Sequence, residues 1–256
     1  MEYTKNELKY FIIIILALTF AFAFNDKSAE FAWSSWLVNF FKTLVFVAVS
    51  VFVHDFAHDL AAKKYGFISE YRVWGIKRLG WHKESFPRTV RLFGREIEIN
   101  SFPLGIILCI LIAIVSNGKL FFTAVSSYGL MIKRTQRFGH KIIEVTDFEE
   151  AKIALAGPMA NIALAIVFKL VSPDGLFADM VLINSVMPVY DMLPFFGLDG
   201  MKVLAGSKAL YVFGFLFIVG MAVLMHYLSA LPALLVALAL TVIFFLIYLW
   251  RSIAAK

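Results

Sequence analysis

Residues 36–58, WLVNFFKTLVFVAVSVFVHDFAH, form a long apolar run that ends in two histidines. The run is long enough for one membrane-spanning helix, which needs roughly 20 predominantly apolar residues. Backbone groups in the hydrocarbon region must satisfy their own hydrogen bonds, so such a run folds as a helix. His54 and His58 are four residues apart, and this spacing puts both imidazoles on one helical face. Ionisable side chains at membrane depth are costly and are functional by default.

Further apolar runs along the chain define the fold class. Hydrophobic residues make up 61% of the 256 residues, whereas a soluble domain is about 45–50% apolar. We therefore predict an α-helical integral membrane protein with about six transmembrane helices. The predicted spans are 11–24, 36–53, 153–171, 180–196, 209–228 and 231–250.

The segment 101–132 is apolar but is interrupted by Asn117-Gly118-Lys119. Each half is too short to span a bilayer, and Asn-Gly between two apolar runs is a strong hairpin signal. We predict a re-entrant, β-hairpin-like element that enters and leaves on one side. The preceding polar segment, 63–100, mixes charged, aromatic and β-branched residues, which predicts short strands at the inner membrane surface.

Basic residues determine the predicted orientation. The net charge is +6, and in a membrane protein Lys and Arg collect in cytoplasmic loops. With the N-terminus inside and 101–132 re-entrant, the outer loops contain a single lysine, Lys27, and the basic residues of 133–141 stay inside. We predict a multi-pass protein of the cell membrane with cytoplasmic N- and C-termini. No nucleic-acid partner is expected.

The histidine pair has the spacing of a metal site. Neutral imidazole is a good zinc ligand, and a catalytic zinc needs three protein ligands and an open position. Asp199, which ends the fourth predicted helix, is the best third ligand because the topology places it level with His54 and His58. The alternative is that the histidines bond to neighbouring backbone and that Leu-Asp-Gly is only a turn.

Asn161 is a second polar residue at membrane depth. It belongs to Ala156-Gly157-Pro158-Met159-Ala160-Asn161 in the third predicted helix. Small residues such as Gly and Ala let helices approach closely. An interhelical hydrogen bond and a substrate contact are both compatible with the amide.

Three motifs in this order resemble the site-2 protease family of intramembrane zinc proteases. They are an HExxH-like helix, a Gly-Pro-x-x-Asn helix and a segment that ends Pro-x-x-x-x-Asp-Gly. The resemblance covers roughly 36–202, and Pro103-Leu104-Gly105 is similar to the family's membrane-inserted β element. It implies hydrolysis of a peptide bond in, or near, a transmembrane segment of a substrate protein. No PDZ or CBS domain is expected.

The resemblance also implies roles for single residues. His54, His58 and Asp199 would hold one Zn²⁺ per chain, and Asn161 would contact the substrate or its developing oxyanion. Asp191 stands where the family has Asn, and its carboxylate can pair with a metal ligand or with substrate. It is grouped with Asn161 as a substrate-binding candidate.

Asp55 is the difference from the family pattern that matters most for the predicted activity. The family has Glu at this position, and that Glu is the general base for the attacking water. Asp carries the same group on a side chain one methylene shorter. A displacement of about 1 Å can cost about a hundredfold in rate, so Asp55 is either the catalytic base or the cause of impaired activity.

Three functions are therefore compared. They are an intramembrane metalloprotease, a zinc-binding pseudoprotease that binds transmembrane helices without cutting, and a zinc transporter. Transport is the weakest, because the outer halves of the predicted helices are almost wholly apolar. The chain divides into an N-terminal helix and outer loop (1–35), the metalloprotease core (36–202) and two C-terminal helices (203–256). The expected partners are a transmembrane substrate protein and the lipid bilayer.

The re-entrant path can be tested by labelling. Cysteines placed at positions 65 and 140, in a Cys109→Ala background that has no other cysteine, should react with an impermeant thiol reagent from the same side of the membrane. Labelling from opposite sides would show that 101–132 spans the bilayer.

Overall fold

A computed structural model describes residues 4–26, 31–77, 86–92, 95–99, 101–132, 145–172 and 174–254. Within these ranges the chain is mostly helical. The helices are α1 (Lys5–Ala23), α2 (Trp33–Lys64), α3 (Leu104–Val115), α4 (Asp147–Val171), α5 (Ala178–Asp191), α6 (Asp199–Gly206), α7 (Lys208–Tyr227) and α8 (Ala230–Ala254). The strands are β1 (Phe67–Val73), β2 (Arg88–Leu92), β3 (Arg95–Ile99) and β4 (Ser126–Ile132).

In the described part of the chain, five helices are long and apolar enough to cross a membrane, not six. They are α1, α2, α4, α7 and α8, and they indicate a membrane protein. The remaining predicted span, 180–196, forms α5, which has only 14 residues. Pro194 disfavours helical backbone at Leu193, and α5 ends just before that pair. Asp199 therefore begins the separate helix α6 instead of ending the fourth span.

The segment 101–132 forms a helix and a strand, so the prediction of a β-hairpin is wrong. Its first arm is α3, whose 12 residues are too few to span a bilayer. An isolated apolar arm can satisfy its own backbone groups only as a helix. The turn itself is present, with left-handed φ values of 51° at Asn117 and 69° at Gly118.

The second arm returns as β4 and pairs antiparallel with β1. The register places Ile132 opposite Phe67, three residues after the end of α2. The chain therefore leaves this segment beside the point where it left α2, and the re-entrant path itself stays a prediction. Short strands also occur in 63–100 as predicted, where β2 pairs antiparallel with β3. The basic residues of 133–141, Lys27 and position 140 lie outside the described residues.

Helix α4 lies at the centre of the fold and packs against α2, α5, α6 and α7. It begins with a capping box, in which Thr146 Oγ1 accepts from the Glu149 amide at 3.3 Å and the Glu149 carboxylate accepts from the Thr146 amide at 3.0 Å. Where α4 meets α2, its buried face carries the small residues Ala154 and Gly157. The short side chains bring α2 and α4 close together, and this contact carries the candidate site.

Candidate metal centre

His54, His58 and Asp199 converge on one buried point. The Nε2 atoms of the two histidines are 3.0 Å apart. Asp199 Oδ2 lies 3.1 Å from His58 Nε2 and 3.4 Å from His54 Nε2. None of the three residues is more than 4% exposed. The three residues predicted from the sequence as metal ligands are therefore brought together by α2 and by the first residue of α6.

The triangle has the dimensions of a zinc site. Ligand atoms about 2.0–2.2 Å from a tetrahedral zinc lie about 3.2–3.6 Å from each other. The three observed separations are 3.0, 3.1 and 3.4 Å. A proton on an imidazole nitrogen can link pairs of these atoms, whereas one cation between them would use the lone pairs of all three. Two imidazoles and one carboxylate also leave the fourth position open, as in catalytic zinc sites.

The hydrogen bond of His58 leaves its inner nitrogen available for a metal. His58 Nδ1 lies 2.7 Å from the carbonyl oxygen of Ile153. A carbonyl can only accept, so Nδ1 carries a proton, and in the neutral imidazole the Nε2 lone pair would be free for a metal. Outer partners of this kind fix the orientation of metal-binding histidines.

Glycine is required where α4 crosses the histidine pair. A Cβ at Gly157 would lie 2.3 Å from His58 Nε2 and 2.8 Å from His54 Cε1. Asn161 follows one helical turn later on the same face and is fully buried. Within the described ranges, neither Nδ2 nor Oδ1 of Asn161 has a hydrogen-bond partner. A buried amide without partners is costly, which favours the substrate-contact interpretation of Asn161.

Helices α2 and α5 carry further buried carboxylates. Asp55, adjacent to His54 in the chain, is 2% exposed, and so is Asp191. Asp191 Oδ2 lies 3.8 Å from His54 Nδ1, too far for a hydrogen bond but close enough for electrostatic attraction. Asp59, one turn after Asp55, pairs instead with Lys63 at 2.6 Å. Several acidic groups in an apolar region are tolerated when a cation compensates them.

Two residues beside the site were not predicted from the sequence. The Tyr128 ring stacks on His58, with centroids 4.4 Å apart and an interplanar angle of 28°. Lys202 Nζ donates to the Tyr128 carbonyl at 2.6 Å. Lys202 comes three residues after Asp199, so its position one turn along α6 is the signal that could have identified it.

The fold and the site together define a class: a helical protein with several apolar helices and a buried His-His-Asp cluster that could hold a metal ion. Comparison with known proteins agrees with this class. Over 213 residues the chain is 26% identical to a protein of Methanocaldococcus jannaschii named "Putative zinc metalloprotease". The alignment covers 79% of this chain and 85% of that protein. No family model matches the chain, and no solved structure matches it significantly. The likeness supports a zinc-dependent metalloprotease.

Removal of both imidazoles tests the ligand assignment. Purified wild-type protein should contain about one zinc per chain, and the His54→Ala, His58→Ala double variant should contain almost none. Atomic absorption measures the content, and His226→Ala, at the far end of α7, is the matched control that should retain zinc. A double variant with a full complement of zinc would refute the assignment.

Gly157→Ala should weaken zinc binding without any change of a ligand. The new methyl group overlaps both imidazoles, and overpacking costs about 1–3 kcal/mol. If this strain falls on the ligands, zinc affinity should drop about 5–150-fold, as measured by competition with a chelator. Gly220→Ala is the control, because its Cβ would meet Ala237 Cβ at an ordinary 3.6 Å. Equal zinc affinity in both variants would contradict the proposed close contact.

Proposed function

We propose that this protein is an intramembrane zinc metalloprotease of the site-2 protease type. It would hydrolyse a peptide bond in, or near, a transmembrane segment of a substrate protein in the cell membrane. The observation that carries the proposal is the buried triangle of His54, His58 and Asp199 at the end of a long apolar helix. The likeness to a protein named as a zinc metalloprotease supports the reaction class.

The residues in and around the triangle would have different roles in the proposed reaction. His54, His58 and Asp199 would hold the ion. When bound, zinc supplies a Lewis acid for the scissile carbonyl and increases the acidity of water. Asp55 is the proposed general base, which takes a proton from the attacking water and passes it to the leaving amine. The Nδ2 group of Asn161, which has no partner among the described residues, is the proposed donor to the oxyanion.

Asp191 has a dual assignment in this proposal. Its carboxylate lies beside the outer nitrogen of His54, where it would favour the His54 tautomer that keeps Nε2 free for the metal. The sequence grouped Asp191 with Asn161 as a substrate contact. We retain that role for an approaching substrate, since Asp191 and Asp199 both flank His54.

The substrate must be unwound before it is cut, because the peptide bonds of a helix are shielded by the helix itself. We propose that β4 holds an extended substrate by β-augmentation. One edge of β4 already pairs with β1. On the other edge, the Tyr128 carbonyl accepts from Lys202, so an added strand would form its hydrogen bonds with β4 away from this carbonyl.

The second candidate is a zinc-binding pseudoprotease, which the shorter Asp55 favours. A transporter is disfavoured by the polar pair between α2 and α5. Asn184 Nδ2 donates to Ser50 Oγ at 2.8 Å, and Ser50 Oγ donates to the Phe46 carbonyl at 2.8 Å. Apart from Asn184 Oδ1, these groups bond to one another or to the backbone and join two helices.

Substitutions at Asp55 separate the protease from the pseudoprotease. Asp55→Asn should abolish cleavage and keep zinc bound, because a carboxamide of similar shape cannot accept a proton. Asp55→Glu should change the rate by up to about a hundredfold, upwards if Asp is too short and downwards if the backbone already compensates. The assay uses detergent-purified protein and a panel of single-span substrates, with and without a zinc chelator.

Asp179→Asn is the matched control for these variants. It removes a surface carboxylate that pairs with Lys42, and it should leave zinc content and cleavage unchanged. If the wild-type protein and the Asp55→Asn and Asp55→Glu variants all keep zinc and none cuts any substrate, the protease proposal fails and the helix-binding pseudoprotease replaces it.

A further inference from the structure

Lys202 makes two contacts with a single residue of β4. Its Nζ atom donates to the Tyr128 carbonyl at 2.6 Å and lies 3.1 Å from the centroid of the Tyr128 ring. An ammonium over an aromatic face is stabilised by the ring quadrupole, most strongly where water is excluded. Burial lowers the pKa of Lys202 to about 8, so the side chain is still mostly a cation at neutral pH.

Tyr128 in turn contacts His58, a proposed metal ligand. Its ring stacks on His58 at a centroid separation of 4.4 Å, and its hydroxyl donates to the Glu150 carbonyl of α4 at 3.4 Å. The imidazole of His58 is thus held by the Ile153 carbonyl through Nδ1 and by Tyr128 across its face. These two contacts fix the plane and the tilt of the imidazole ring.

The same lysine is tied to the other side of the triangle through the chain. Lys202 lies in α6, one turn after Asp199, and α6 has only eight residues. A contact that anchors Lys202 to β4 therefore limits the movement of Asp199 relative to His58. Without this contact, α6 would still pack against α4 and α7 but would have no side-chain anchor on the sheet at this position.

We propose that Lys202 is a positioning residue, which sets the separation between Asp199 and His58 by anchoring α6 to Tyr128. The inference rests on the proposed zinc site and extends it to a residue that touches neither metal nor substrate. Partners that orient metal ligands typically contribute about 10–100-fold to metal affinity or activity, and Lys202 would act in this way through Tyr128.

Lys202→Met and Lys202→Arg test the proposal in the full-length, detergent-purified protein. Met keeps the length and the apolar stem but removes the charge and the donor, whereas Arg keeps both. We expect zinc affinity to fall about tenfold or more in Lys202→Met and to fall less in Lys202→Arg, whose guanidinium can also lie over an aromatic ring. Lys208→Met, at an exposed lysine of α7, should bind zinc like wild type.

A cobalt-substituted sample gives a readout that general destabilisation would not produce. The visible spectrum of Co²⁺ reports ligand geometry, so Lys202→Met should shift it, whereas Lys208→Met should not. If Lys202→Met does not fold, Tyr128→Leu replaces it, because this variant removes the stack on His58 and keeps the backbone of β4. Zinc affinity close to that of wild type and an unchanged cobalt spectrum, in whichever of the two variants folds, would overturn the positioning role.

Failure of the positioning role can be distinguished from failure of the proposed function. If wild type binds no zinc, or if zinc survives loss of both His54 and His58, the metal centre itself is wrong. If zinc binding depends on the histidines and is indifferent to Lys202, only the positioning role is wrong.

Discussion

The close contact between α2 and α4 at Gly157 is the constraint on which the rest of the site depends. With no Cβ at this position, the backbone of α4 reaches the two imidazoles directly. The same approach brings the Ile153 carbonyl to His58 Nδ1 and places Asn161 one turn away on the facing surface. In an apolar environment helices associate largely by packing, and small residues permit it. One missing methyl group therefore determines histidine orientation and the position of the proposed oxyanion donor.

Buried acidic side chains are the second feature of the site. Asp55, Asp191 and Asp199 are all buried among apolar helices. Buried carboxylates are strongly disfavoured unless their charge is compensated, and a dication between His54, His58 and Asp199 would compensate most of it. Metal binding and stability of this region would therefore be coupled, as they are in sites whose ligands are buried together.

Much of this could be predicted from the sequence, since the relevant signals are local. A helix fixes the geometry of His54 and His58 from their spacing alone, and the apolar runs predict the long helices. The predictions that were wrong or missing arise where two local signals compete, or where a contact joins residues far apart in the sequence. Pro194 shortened α5, and the first arm of 101–132 became helical although the turn at Asn117-Gly118 is present. The pairing of Lys202 with Tyr128 joins residues 74 positions apart, and no local pattern predicts such a contact.

The two departures from the family pattern meet at His54. Asp55 keeps the charge of the usual glutamate but places it one methylene closer to the backbone of α2. Asp191 places an ionisable carboxyl group where the family has a neutral amide, and it lies 3.8 Å from the outer nitrogen of His54. An ionised carboxylate at this position would strengthen the attraction for a cation through space, without a hydrogen bond to the imidazole. In the proposed protease the shorter base would lower the rate of hydrolysis, whereas the added carboxylate would favour retention of the metal.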